Sequence, residues 1–403
     1  MTSKIAYLDG LRGLAACIVV VSHFFQVFAP SVFERKADIE HFAFESFAAR
    51  TPVNLLFNGN FSVCLFFVLS GYVLSYRYFR TKDPLPVYSS ALRRYFRLAV
   101  PAVLSVVIAY LVILFGFGYY DDIQVATLSS MPDPFTASAS FLVIIQEAFY
   151  HTFFTYGMTY NPVLWTMTYE LFGSFLIFSF LLIVGRFKLR FLVYLTLCWV
   201  FIDSYYLGFV LGMLLSDLRY GDRERNWLDT IRSPWVNVLL LVAGLYLGSF
   251  PYLAVDGTVY AVLVWQPGSS FNYFQFYHVI GAFLVLTALL NSARMKALFS
   301  RKTFAYLGKV SFSLYLVHFT ILCSFGSYLF LQLDSVLPYG VSVVLTVALT
   351  TPFIFACAHF FYRWVDAVTL TVLARWSRQL LQPIANRRRR VLQREPVKEN
   401  VGS

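Results

Sequence analysis

From residue 11 to residue 362 the chain is a succession of apolar stretches separated by short polar or charged breaks. A backbone immersed in hydrocarbon has no water to bond, so each stretch must satisfy its own N–H and C=O groups. For segments of about 20 residues that means an α-helix. Charged side chains are 13% of the sequence and mean hydropathy is +0.65, whereas a soluble domain carries about 25% charged residues. The fold class is therefore an all-α polytopic membrane protein. About ten transmembrane helices are expected, over 11–30, 54–77, 98–117, 162–185, 190–203, 204–218, 234–251, 273–291, 306–331 and 338–362.

The first stretch is long, has no small-residue cleavage site and carries His23, so it reads as a retained span rather than a signal peptide. Residues 190–218 divide at Asp203-Ser204 into two short spans. The alternative is one tilted span there, with 139–158 promoted to a crossing. That alternative buries Gln146, Glu147 and His151 and carries Arg186, Lys188 and Arg190 to the opposite side, so the division is preferred. The apolar run Phe141 to Phe154, inside the long 118–161 connection, predicts a re-entrant or surface-lying segment over the outer face.

Charge fixes the expected orientation. Of the 32 lysines and arginines, all but Arg35, Lys36 and Arg50 fall on the side that holds both termini. Cytoplasmic loops carry such an excess, so both termini are placed in the cytoplasm, with the plasma membrane (a bacterial cell's inner membrane) as the site. Residues 1–364 form the membrane domain and 365–403 a basic cytoplasmic tail. In that tail Val365 to Leu381 reads as an amphipathic helix, followed by an arginine run at 387–390 suited to anionic headgroups. This distribution explains the net charge of +11 without nucleic acid as a partner. Cys17, Cys64, Cys198, Cys323 and Cys357 all lie in apolar segments without metal-ligand spacing, so neither disulfides nor a metal are expected.

Ionisable groups inside a bilayer cost roughly 2.5–3.5 kcal/mol or more and are functional candidates by default. Arg12 and His23 lie eleven residues apart on one helix face, and the rise puts His23 about 16 Å above Arg12, near mid-membrane. Glu170, counted from Pro162, falls about 12 Å from the outer end of its span. Ser311, Tyr315 and His318 share a face, with His318 about 13 Å deep. Three ionisable groups are thus expected in one layer. Arg94 and Arg97 share a face at the cytoplasmic mouth, where guanidinium forks suit phosphate. Ser70 and Gly71 allow close backbone approach. His41, His151, His278 and His359 read as structural, and Asn54, Asn58 and Asn60 lie at an outer span end.

These elements together resemble the acyltransferase-3 family of integral membrane proteins. Leu8-Asp9-Gly10-Leu11-Arg12-Gly13 with His23 is similar to that family's Arg-x10-His signature. Phe66 to Tyr72, Arg94-Tyr95-Phe96-Arg97 with Pro101, Trp165 to Glu170, and Ser311 to His318 resemble its later motifs, in family order. The resemblance implies transfer of an acyl group, often acetyl, from acyl-CoA to a hydroxyl on a glycan, lipid-linked sugar or other small acceptor, with no tightly bound cofactor. It assigns His23 and Glu170 to catalysis, with His23 as general base. Arg12, Arg94 and Arg97 fall to the donor, and Ser70, Trp165, Tyr315 and His318 to the acceptor or to structure. The alternative is a proton-coupled transporter or flippase using the same buried groups; inverted repeats, which would favour it, are not visible in the sequence.

Overall fold

The computed structural model describes residues 5–137, 140–221, 226, 228, 231, 233–252, 255–266 and 268–394, and among these there is no strand. The principal helices are α1 (Ala6–Phe28), α2 (Gly59–Thr81), α3 (Leu85–Leu114), α4 (Trp165–Ile183), α5 (Arg190–Val200), α6 (Tyr206–Tyr220), α7 (Pro234–Gly248), α8 (Tyr273–Asn291), α9 (Lys302–Ile321), α10 (Tyr339–Phe361) and α11 (Ala367–Arg394). Among the described residues, seven helices are long and apolar enough to cross a membrane; α5 and α7 are shorter apolar helices. The chain is an integral membrane protein.

Local chemistry sets several boundaries. The Asn58 side chain accepts from Phe61 N at 2.9 Å and starts α2, while Asn272 caps α8 through Gln275 N at 3.0 Å. Lys82, in a left-handed conformation, ends α2. Residues 190–220 form a helical hairpin. Arg190 at the start of α5 pairs with Asp217 near the end of α6 (2.6 Å), and Tyr205 at the tip donates to Asn60 Oδ1 (2.5 Å). One continuous tilted helix is therefore excluded there.

Small residues bring the helices into contact. A Cβ on Gly13 of α1 would sit 2.5–2.6 Å from Gly308 N and Leu307 of α9, and one on Gly71 of α2 would sit 3.0 Å from Gly212 Cα of α6. Only glycine permits these crossings. α1 and α9 stay packed from Gly13–Gly308 out to His23 and His318, whose rings are 5.0 Å apart, and the segment that follows α9 continues the contact with Phe330 against Phe28.

The 141–154 segment dips between helices instead of lying flat. Its Phe149 carbonyl accepts from Tyr95 OH of α3 at 2.9 Å, and Thr152 O accepts from Thr168 of α4 at 3.0 Å. The chain then climbs back, and Asn161 Nδ2 donates to Leu316 O at 2.9 Å. The tail also differs from a free amphipathic helix. After a π turn at Tyr362–Asp366, α11 lies along the first half of α3. There Ser377 bonds Ser89 (3.2 Å), the Trp376 ring meets Phe96 at 5.9 Å, and Asp366 pairs with Arg97. Residues 387–390 continue as helical backbone, and their side chains fall outside those described.

Candidate active site

Two chambers meet inside the bundle. The smaller, of about 130 Å³, is lined by Arg12, Ser70, Arg94, Arg97, Glu170 and Ser311. The larger, of about 820 Å³, is lined by His23, Ser22, Gln26, Asn58, Asn60, Trp165 and Tyr205, among others. Val63 and Tyr315 belong to both walls. Arg12 and His23, on one face of α1, thus bracket the junction from below and above.

His23 and His318 are neighbours. His318 Nε2 lies 3.1 Å from His23 Nδ1, with ring centroids 5.0 Å apart. Each Nδ1 also faces a backbone carbonyl one turn back: His23 toward Val19 O and His318 toward Leu314 O, both at 2.9 Å. A carbonyl only accepts, so both Nδ1 atoms carry hydrogen. His318 Nε2 is then an acceptor for the hydrogen on His23 Nδ1. What remains is His23 Nε2, an unprotonated ring nitrogen on a residue that lines the larger chamber. His318 is fully buried and holds the ring from behind.

Glu170 is elsewhere. It pairs with Arg94 of α3 and accepts from Ser70 of α2, at 2.9 and 3.2 Å. It makes no contact with His23, so it orients the Arg94 guanidinium and not the imidazole. The reason is depth. α4 starts below the rim: Val163 O, before its first turn, already accepts from Tyr315 OH at 2.7 Å. Seven residues further on, Glu170 lies about 10 Å deeper. The expected single layer of three ionisable groups is in fact a histidine pair above and an Arg–Glu pair below.

The arginines differ in what they have left to offer. Among the described residues Arg94 pairs with Glu170 and Arg97 with Asp366, while Arg12 keeps only a loose 3.9 Å contact with Asp9. Arg94 Nε is buried without a partner among the described residues, a free donor on a residue of the small chamber. Tyr315 donates to Val163 O and meets Thr166 Oγ1 at 2.9 Å. Its hydrogen is committed, so it shapes the junction without supplying a proton there.

His278, read as structural from the sequence, backs the wall of the larger chamber as part of a polar network. It is fully buried and receives Asn60 Nδ2 at 2.8 Å on Nδ1, while Nε2 donates to Phe250 O at 2.9 Å. Tyr205 joins this network by donating to Asn60 Oδ1, and Asn58 Nδ2 beside it donates to Gly248 O at 3.2 Å, which stiffens one wall of the larger chamber. What the sequence reading did not give is the pairing of Asn60 with His278, which are 218 residues apart.

The sequence model of an acyltransferase domain matches residues 5–358. Among curated proteins, the chain is 27% identical to the O-acetyltransferase PaAT-1 of Phomopsis amygdali, over 94% of this chain and 86% of that one. It is 25% identical to an acyltransferase of a Phoma species, over 81% of this chain and 85% of that protein. It is 23% identical to an acyltransferase of Cochliobolus lunatus, over 81% and 84%. No solved structure matches.

Proposed function

Because the chain belongs to the acyltransferase-3 family and is an enzyme that transfers acyl groups, we propose that it moves an acetyl group from acetyl-CoA on the cytoplasmic side to an acceptor hydroxyl in the larger chamber. In this reading ten helices cross the membrane, α5 and α6 as a hairpin, with both termini cytoplasmic. The pantetheine arm enters the small chamber past Arg12, where Arg94 Nε–H meets its amide carbonyls. The thioester reaches the junction beside Tyr315. Acceptors that fit an aromatic and amide-lined cavity of about 820 Å³ are a glycan hydroxyl, a lipid-linked sugar or another small hydroxylated molecule.

The chemistry follows from the histidine pair. The acceptor hydroxyl gives its proton to His23 Nε2 as its oxygen attacks the thioester carbonyl. The C–O bond forms, the C–S bond breaks, and the proton passes to the departing CoA sulfur. His318 Nε2 accepts from His23 Nδ1 throughout, so the transient imidazolium has a partner on the side away from the substrate.

The observation that carries this reading is the fixed tautomer, which leaves one basic nitrogen on a residue that lines the larger chamber. The test is His23→Ala in membranes with acetyl-CoA, with envelope glycans and lipids read by mass spectrometry. Loss of general-base catalysis costs roughly 10²- to 10⁴-fold. Full turnover by normally expressed His23→Ala overturns the assignment. Acceptor movement without acetyl-CoA consumption favours the transporter alternative.

A further inference from the structure

A third cavity, of about 900 Å³, opens at the charged end of the bundle, between the start of α3, the end of α2, the first turn of α1 and the docked face of α11. Arg77, Arg93 and Arg378 line it, one from each of α2, α3 and α11. None of the three has a carboxylate partner among the described residues. Arg93 Nε bonds its own helix at Ser89 O (2.9 Å) and Arg378 Nε does likewise at Ala374 O (3.0 Å). Arg93 also lies within electrostatic reach of Arg77, Arg97 and Arg378. Two carboxylates share the wall. Asp9 is opposed by Arg12, and Asp83 accepts from Leu85 N at 3.2 Å at the start of α3.

Like charges gathered around a cavity repel unless an anion sits among them, and guanidinium forks match phosphate oxygens. The cavity leads into the donor path. One turn of α3, about 6 Å, separates Arg93 here from Arg97 in the small chamber, and Asp9 stands one turn from Arg12. Arg94 and Arg97, by contrast, already hold Glu170 and Asp366.

We propose that the 3′-phosphorylated ADP end of acyl-CoA binds in this mouth cavity, held by Arg77, Arg93 and Arg378, so that the tail helix α11 is one wall of the donor site. This rests on the acyl-CoA reading above. It moves the phosphates away from Arg94 and Arg97 and gives the tail a substrate-binding role. The wall is built to stay in place: Ser377 is buried at 1% exposure against α3, next to Arg378.

The test compares two donors, acetyl-CoA and S-acetyl-pantetheine, which lacks the nucleotide, using the full chain in nanodiscs. Arg77 and Arg378 are exposed, so Arg77→Ala and Arg378→Ala should fold. The ratio of kcat/KM for acetyl-CoA to that for S-acetyl-pantetheine should fall roughly tenfold in each, with Arg378→Lys partly restoring it. An unchanged ratio overturns the proposal. Equilibrium binding of adenosine 3′,5′-bisphosphate separates this from failure of the acyl-CoA reading. The wild-type chain should bind it and the double variant should not, even if no acyl transfer is detected. Equal binding by both, or none by the wild type, overturns the proposal. So does a loss that occurs in anionic nanodiscs and is absent in phosphatidylcholine, since the arginines would then hold a lipid headgroup.

Discussion

Replacing His318 isolates the role of the histidine pair. His318 is fully buried behind His23 and is not itself part of the larger chamber's lining. His318→Phe keeps a ring of similar size but removes the acceptor for His23 Nδ1–H. That hydrogen still has Val19 O at 2.9 Å, so the tautomer and the ring position survive. What is lost is one hydrogen bond to the imidazolium formed during transfer. A hydrogen bond to a charged group contributes about 1.5–3 kcal/mol, and 1.36 kcal/mol is tenfold in rate. The expected fall in kcat is therefore roughly 10- to 200-fold, with KM for acetyl-CoA unchanged because no donor contact is touched. His318→Gln carries a carbonyl oxygen able to accept the same hydrogen and should recover most of the rate. Initial rates of acetyl transfer in nanodiscs, with thermal unfolding as a control for folding, decide it. Wild-type kcat in His318→Phe refutes the argument. A rate that falls equally in Phe and Gln variants reduces His318 to packing.

Glu170→Gln keeps a partner for Ser70 but leaves the Arg94 charge unopposed, at a cost of about 3–5 kcal/mol; detergent unfolding should show a clear loss, largely restored by Arg94→Met with Glu170→Met. In Gly13→Val the added side chain meets the α9 backbone, and overpacking costs typically about 1–3 kcal/mol; unchanged unfolding would show that α1 and α9 can separate freely. Asn60→Ala leaves a buried His278 nitrogen and the Tyr205 hydroxyl without partners, about 1–3 kcal/mol; acceptor KM should rise more than acetyl-CoA KM as that wall loosens.

Much of the frame was legible. Each expected span has its helix, including the division of 190–218, because a 20-residue apolar stretch has few alternatives and the short pair is marked by its charges. The depth of Glu170 was not legible. Counting from Pro162 assumes that α4 starts at the membrane surface, and nothing local reports that Asn161 and Val163 already sit against α9. The fate of Arg94 and Arg97 was hidden for a related reason. Their partners, Glu170 and Asp366, are 76 and 269 residues away, and a pairing of that separation leaves no local pattern. The tail was half legible: its amphipathic period fits a membrane surface and a docking face equally well, and Ser377 against Ser89 decides for docking.

The histidine pair lies between these cases. His23 is ten residues beyond Gly13, and His318 is ten residues beyond Gly308. α1 and α9 run in the same direction and touch where those glycines meet. Equal rise along two parallel helices from a shared crossing, about 15 Å each, brings the two rings to one height without further instruction. The glycine of Arg12-Gly13 and the glycine of Gly308-Lys309 therefore do more than permit close packing. They set the register in which His23 meets His318, and they place Arg12 beneath the pair in the small chamber. A residue inserted in either helix between glycine and histidine would turn that ring by about 100° and lift it by about 1.5 Å. Such an insertion should abolish transfer even where the protein still folds, while one beyond the histidine, in the outer turn, should be tolerated.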